Sequence, residues 1–413
     1  MKKTLYGFLS IALLMCIGFF QKNTEPAKVA LERVAAQYKN SLDLFEAQIN
    51  RYAEVAESFS QKKADLFTLQ KTHRETRLAL KEVEFLMSYL DPVAVKNFIN
   101  GAPLPKPEPN IPELRAFEPK GLQVLDELVY GDEVFDLRDS ISFQASTLKK
   151  NFKLVKNYTG SLSLEHRFVF EAIRQELIRV FTLGVTGFDT PGSSHALPEA
   201  DISMQTISKV ISAYYPMLSK LDYSLQQEMA VQFTQAIIYI KNHNNFETFN
   251  RLEFLTNFIN PLYENVLKAQ KTLGIEDYYE AVGFNTKLNH KGTNLFSDDF
   301  INAFTYSGLK KNEFTQKRAE LGKILFFDPL LSANNEGACA TCHNPDKGFA
   351  DGIAKSPAMN GEGTILRNAP GLVNSVFAEK YFYDLREKVL ARQIKHVVLN
   401  PKEFNTTFTD IED

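Results

Sequence analysis

The chain has 413 residues, 44% of them hydrophobic and 23% charged. Such a chain can bury sizeable cores, which excludes a wholly disordered or collagen-like protein, and its length leads us to expect two or three domains. Lys and Arg total 47 against 50 Asp and Glu, a net charge of −3. With no basic excess to neutralise a phosphate backbone, nucleic acid is not an expected partner. Three cysteines are too few for a disulfide scaffold.

Lys2 and Lys3 precede an apolar run from Leu5 to Phe20, which polar Gln21, Lys22, Asn23 and Thr24 end abruptly. A basic start and a short apolar core read as a secretory signal, and the run is short for a membrane-spanning helix. Residues 1–24 are therefore expected to be a signal peptide or N-terminal anchor. The mature chain is expected in the periplasm, free or tethered at its N-terminus to the membrane. Cys16 is the candidate lipidation point, although Met15 stands where lipoprotein signals want a small residue.

Residues 25–295 read as a helical domain. Leu31, Ala35, Tyr38, Leu42, Phe45, Ile49, Tyr52, Ala56 and Phe59 recur in steps of four and three, a heptad stripe on one long helix. A second stripe, Leu69, Thr72, Thr76, Ala79, Val83, Leu86 and Leu90, stops at Asp91-Pro92, and the two predict an antiparallel helical hairpin. Prolines at 103, 105, 107, 109, 112 and 119 make the next stretch an extended connection. Helical patterns resume near 121–150, 163–184, 201–222, 224–243 and 247–273, with a Pro/Gly loop at 189–198. Strand signals are nearly absent, so the fold class is mainly α: a helical bundle followed by a second α-helical domain.

His73, His166, His195, His243 and His290 are scattered without metal-ligand spacing and read as solvent or edge histidines. His195, in the Pro/Gly loop, is the candidate exception. Gly121-Leu122-Gln123-Val124-Leu125-Asp126 faintly resembles the Gly-x-His-x-x-Glu element of imelysin-like helical proteins. Gln replaces the His and Asp the Glu, so the ligand is lost and packing of a core helix accounts for the same residues. A helical binding module carrying a C-terminal appendage is the reading this likeness would support.

The chemistry lies near the C-terminus. Cys339-Ala340-Thr341-Cys342-His343 is the C-x-x-C-H pattern of covalent haem attachment. Two thiols at this spacing reach the two vinyl groups of one porphyrin, and the adjacent imidazole lies beneath the iron as proximal ligand. A thioredoxin-like pair would need a βαβ context, and a zinc site two further ligands. One haem c is therefore expected, held by Cys339, Cys342 and His343.

Flanking blocks carry a family resemblance. Leu321-Gly322-Lys323-Ile324-Leu325-Phe326-Phe327-Asp328-Pro329 precedes the motif, and Phe349-Ala350-Asp351-Gly352, Arg367-Asn368-Ala369-Pro370 and Phe382-Tyr383-Asp384-Leu385-Arg386 follow it. In this order they resemble the N-terminal haem domain of the bacterial di-haem cytochrome c peroxidase family, over about residues 305–413. The resemblance implies reduction of hydrogen peroxide, with electrons from a small donor cytochrome or cupredoxin by way of a second haem. It implies a distal Gln and Glu ten residues apart, matched by Gln393 and Glu403. A buried carboxylate can take the proton of one peroxide oxygen and return it to the other.

Three departures accompany the resemblance. Some members carry a His after the haem motif that ligates the resting iron, but residues 352–367 hold no His and offer Met359 as a candidate distal ligand. The aromatic between the haems is often Trp; this chain has no Trp and places Tyr383 there. These 413 residues hold no second C-x-x-C-H, so the second haem domain is expected to be absent from them, whether as a fragment, a truncated product or a mono-haem derivative, and with it half of an inter-domain calcium site to which Asn368 corresponds. The expected function is a periplasmic haem c peroxidase, the alternative a mono-haem electron-transfer or redox-sensing module without turnover. Asp384 and Glu387 read as the start of a helix carrying Gln393, with His396 on its surface.

Overall fold

The computed structural model describes residues 25–108, 115–282, 286–309 and 313–412. The expected signal or anchor at 1–24 lies outside them. The described residues are mainly helical and form two compact units. The first comprises residues up to 105, 118–284 and 290–297; the second comprises 106–117, 285–289 and 298 onward. Among the described residues no helix is long and apolar enough to cross a membrane.

In the first unit, helix α1 (Glu25–Ser60) packs against α2 (Leu66–Leu90). Asp65 starts α2 by accepting the Thr68 amide at 2.8 Å, and Asp91 accepts the Ala94 amide where Pro92 follows. From Tyr38 to Phe59 the predicted stripe of α1 is the buried one. Toward the N-terminus the buried residues are Val34 and Ala30 rather than Ala35 and Leu31. A straight helix of 3.6 residues per turn drifts off a 3.5-residue repeat, which accounts for the slip. Phe45 meets Phe152 edge-on at 4.6 Å between ring centroids.

The pattern expected as one helix over 121–150 is broken into α3 (Leu122–Tyr130) and α4 (Arg138–Ser161). Gly121 opens α3 with φ +108°, and a Cβ there would stand 2.5 Å from the Ile99 carbonyl oxygen. Both facts require glycine, so this residue of the Gly-x-Gln-x-x-Asp element serves the backbone. Helices α5 (His166–Arg179), α6 (Ala196–Ser212), α7 (Tyr215–Leu221), α8 (Tyr223–Asn242) and α9 (Asn260–Thr272) complete the unit.

A second face of α2 is buried that its apolar stripe does not show. His73, Arg77, Lys81 and Glu84 follow one another along the helix and are all buried. His73 Nε2 lies 3.2 Å from Asp126 Oδ1, while Asp126 Oδ2 accepts the Gly192 and Ser193 amides at 2.7 and 2.9 Å. Arg77 grips Glu199 with Nε and Nη2 at 2.5 and 2.9 Å. Lys81 donates to Glu84 at 2.6 Å and Asp189 at 2.7 Å, and Gln123 donates to Asp189 at 2.9 Å. Two of the histidines depart from the expected solvent or edge positions: His73 is fully enclosed, and His166 is buried with its Nδ1 3.1 Å from the Tyr214 hydroxyl, whereas His243 is exposed and His195 and His290 are half-buried.

Burial would raise the Asp126 carboxyl, but the hydrogen bond from His73 and the charge of Arg77 hold it at about 2. Burial is also the largest effect on His73 and lowers it, because Asp126 recovers only part of the lost hydration.

The second unit has a two-residue hairpin, Lys106–Pro107 paired with Ala116–Phe117, and two longer helices, α10 (Gln316–Phe326) and α11 (Leu390–Val398). Helix α11 begins later than Asp384 predicts. The Glu387 carboxylate accepts the Lys388 and Val389 amides at 2.8 and 3.0 Å, just ahead of the first turn, and Asp384 instead pairs with Arg386 at 2.7 Å. Phe382 and Leu385 take left-handed backbone angles, φ +67° and +56°, which keep 382–385 out of a helix.

Arg77→Ala removes the two-point partner of Glu199 in the core, leaving it only Lys81 at 3.6 Å, and is expected to cost about 3 kcal/mol, whereas a paired apolar replacement of Arg77 and Glu199 recovers most of it; urea unfolding of the full chain measures both. The lowered His73 binds its proton more readily in the unfolded chain. Stability of the helical unit is therefore expected to fall as pH drops below about 6.5, with the slope reduced in His73→Gln.

Candidate functional site

Cys339–Cys342 form a single helical turn, with both thiols half-buried and neither in a disulfide. Thr341 closes the turn by accepting the Ala338 amide on its hydroxyl at 3.0 Å. Burial pushes both thiols up. At Cys342 the carboxylates of Asp351 and Glu403 push in the same direction, which places Glu403 within electrostatic reach of the attachment turn. Ser356, fully buried, hydrogen-bonds to Asp351.

The orientation of His343 is set by its backbone neighbours. Its Nδ1 lies 3.0 Å from the Phe349 carbonyl oxygen and 3.1 Å from that of Pro370. Both partners only accept, so Nδ1 carries the proton and Nε2 keeps its lone pair free for a metal. The chain takes some strain to bring the Phe349 carbonyl there. Gly348 and Phe349 are both left-handed, φ +65° and +61°, and the second costs roughly 1–2 kcal/mol. Phe349 N in turn donates to Asn344 O at 2.8 Å, and the Phe326 ring at the end of α10 lies 6.0 Å from the Phe349 ring. Pro370 belongs to the Arg367-Asn368-Ala369-Pro370 block, whose Ala369 is buried. The flanking blocks thus build the frame of one imidazole.

This donor set fits a c-type haem: two thiols one turn apart and a neighbouring imidazole with Nε2 available. Gln393 is half-buried on α11, and Glu403 is half-buried in the turn that follows. Burial raises the Glu403 carboxyl, a hydrogen bond with Asn400 pulling the other way. The turn is closed by Glu403 N to Asn400 O at 2.9 Å and Phe404 N to Val397 O at 3.3 Å, with Phe404 buried. His396 lies on the exposed side of α11, its ring 4.8 Å from that of Phe382 and its Nε2 3.7 Å from Glu387. Tyr383 is 47% exposed, with the Arg367 guanidinium 3.7 Å above its ring. Met359 is half-buried against Gly337.

In the first unit, Gln123 and Asp126 both join the buried polar ladder of α2. Its carboxylates already have an internal cation, the Lys81 ammonium. Among the described residues, no group of three or more His, Cys, Asp or Glu side chains is placed to hold a metal ion.

The family model for di-haem cytochrome c peroxidase matches residues 316–413. Over 96 residues the chain is 35% identical to the methylamine utilization protein MauG of Methylorubrum extorquens, covering 23% of this chain and 27% of that protein. It is 39% identical over 101 residues to cytochrome c551 peroxidase of Pseudomonas aeruginosa, 24% of this chain and 28% of that one. Cytochrome c peroxidase of Escherichia coli is 40% identical over 88 residues, 21% and 18% of the two chains. The chain thus spans about a quarter of the length of the first two of these relatives.

Both thiols are expected to carry the haem. After maturation in a host that attaches haem c, acid-acetone should leave the colour on the wild-type chain and extract it from Cys339→Ala/Cys342→Ala; free extraction from the wild type would refute covalent attachment.

Proposed function

We propose that residues 305–413 form a periplasmic haem c domain that reduces hydrogen peroxide to water with electrons from a small cytochrome or cupredoxin. The observation that carries this reading is the His343 ring: its Nδ1 is committed to two carbonyls, and Nε2 is left free beside two thiols. The match to the di-haem peroxidase family and the raised, half-buried Glu403 support the same reading.

Cys339 and Cys342 would hold the porphyrin as thioethers, and His343 would ligate its iron through Nε2. When bound, the haem supplies the iron that receives peroxide and the electrons that break the O–O bond. The protein supplies position and proton transfer. The Gln393 amide would hydrogen-bond the bound peroxide and fix its direction. The Glu403 carboxylate would take the proton from the inner oxygen and deliver it to the outer one, which leaves as water. A carboxylate raised by burial is a stronger base and takes the first proton more readily than one at its ordinary value. The exposed Tyr383 is the candidate relay for an incoming electron, its ring held by Arg367.

Glu403 must be ionised to accept the first proton, and its ionisation is shifted upward. The rate of the peroxide-induced Soret change is therefore expected to climb with pH through the raised carboxyl range and level off above it. Glu403→Gln is expected to slow that change roughly 10²–10⁴-fold and remove the climb, with haem content unaltered. A mutant as fast as the wild type in stopped-flow absorbance would overturn the role given to Glu403.

A further inference from the structure

We infer that Met359, seated on Gly337, is a positioning residue that clamps the Glu403 turn to the haem-attachment segment; this rests on the peroxidatic reading above. The carbonyls of the two residues on either side of Glu403 are each held from outside the turn. On one side Lys402 O accepts the Met359 amide at 3.0 Å; on the other Phe404 O accepts the Ala333 amide at 2.9 Å. Ala333 lies on the strip that leads into Cys339, and Met359 in the loop that follows the motif. The carboxylate is thereby fixed from both sides of the attachment turn.

The two holding segments are also tied to each other. Asn334 Nδ2 donates to Met359 O at 3.0 Å, and Gly337 N donates to the Ser332 hydroxyl at 3.1 Å. The Met359 side chain lies flat on Gly337: a Cβ there would stand 2.4 Å from Sδ and 3.2 Å from Cγ and Cε. The backbone angles of Gly337 lie outside the left-handed region, so what a Cβ there would meet is the Met359 side chain alone. Around this contact cluster the buried Ser332, Ala338, Ala358, Val398 and Phe404, drawn from all three segments. A thioether suits such a seat, being flexible and polarizable enough to fill the shallow gap over a glycine. The clamp matters because a carboxylate displaced by about 1 Å can lose about 10²-fold in rate.

The test uses the full-length, haem-loaded ferric chain and three variants: Gly337→Ala, Gly337→Ala/Met359→Ala and Met359→Leu. In Gly337→Ala the new methyl displaces the thioether. Amide hydrogen exchange at Ala333 and Met359 is expected to quicken about tenfold or more, and the peroxide-induced Soret change to slow about tenfold or more, with haem still covalently attached. Gly337→Ala/Met359→Ala, which makes room for the methyl, is expected to regain protection at Ala333. Met359→Leu is expected to keep the resting spectrum and the protected amides. Loss in Met359→Leu of the red charge-transfer band of Met-ligated ferric haem, with faster peroxide reaction, would overturn the clamp and make Met359 an iron ligand. Wild-type exchange in Gly337→Ala would overturn it as well. If Glu403→Gln reacts as fast as the wild type, the peroxidatic role of that residue fails, and the exchange measurements still decide whether the clamp exists.

Discussion

The hydrogen bonds from one nitrogen, Nδ1 of His343, to the carbonyls of Phe349 and Pro370 determine what this domain can do. They fix the tautomer and hold the imidazole in place, so that Nε2 keeps its lone pair. Much of the surrounding chain serves these two bonds. The left-handed pair Gly348 and Phe349 turns one carbonyl inward, and the segment around buried Ala369 delivers the other. An imidazole without them would rotate and lose the directional bond that an axial ligand needs. Second partners of this kind also raise the basicity of the ligand, which favours an oxidised metal.

The reactive side needs a different kind of order. A carboxylate that moves a proton between two peroxide oxygens must be held to within a fraction of an ångström. Glu403 sits in a turn after α11, a poor place for rigidity by itself. Its stiffness comes from the amides of Ala333 and Met359, which bond the carbonyls on either side of it. The His343 ring and the Glu403 turn are thus both held by hydrogen bonds to backbone carbonyls near the C-x-x-C-H turn.

Elements with a strong local signal could be read from the sequence. The stripe from Tyr38 to Phe59 and the stop at Asp91-Pro92 depend on helical periodicity and on proline, both local properties. The C-x-x-C-H motif was legible because its spacing is itself the chemistry. The polar ladder of α2 was not, because His73, Arg77, Lys81 and Glu84 look like a solvated face; only their distant partners Asp126, Asp189 and Glu199 make them a buried one. The start of α11 was misplaced because Phe382 and Leu385 adopt left-handed angles that no residue type there announces. The seat of Met359 on Gly337 was hidden for the same reason as the ladder: it joins residues 22 apart through a fold no local pattern encodes.

The helical unit and the haem unit solve opposite problems. In the first, charges are buried and neutralised by internal partners, Lys81 among its carboxylates above all. In the second, two thiols, an imidazole nitrogen and a carboxylate remain available for chemistry. The most direct test of the account is an anaerobic titration of the ferric, haem-loaded chain with hydrogen peroxide, followed at the Soret band, with reduced small cytochrome then added as donor. The account predicts a change complete at about one equivalent of peroxide and reversed by the donor as the cytochrome is oxidised. A Soret band indifferent to peroxide, in a protein that still cycles between ferric and ferrous forms with the donor, would contradict it and make the domain an electron carrier.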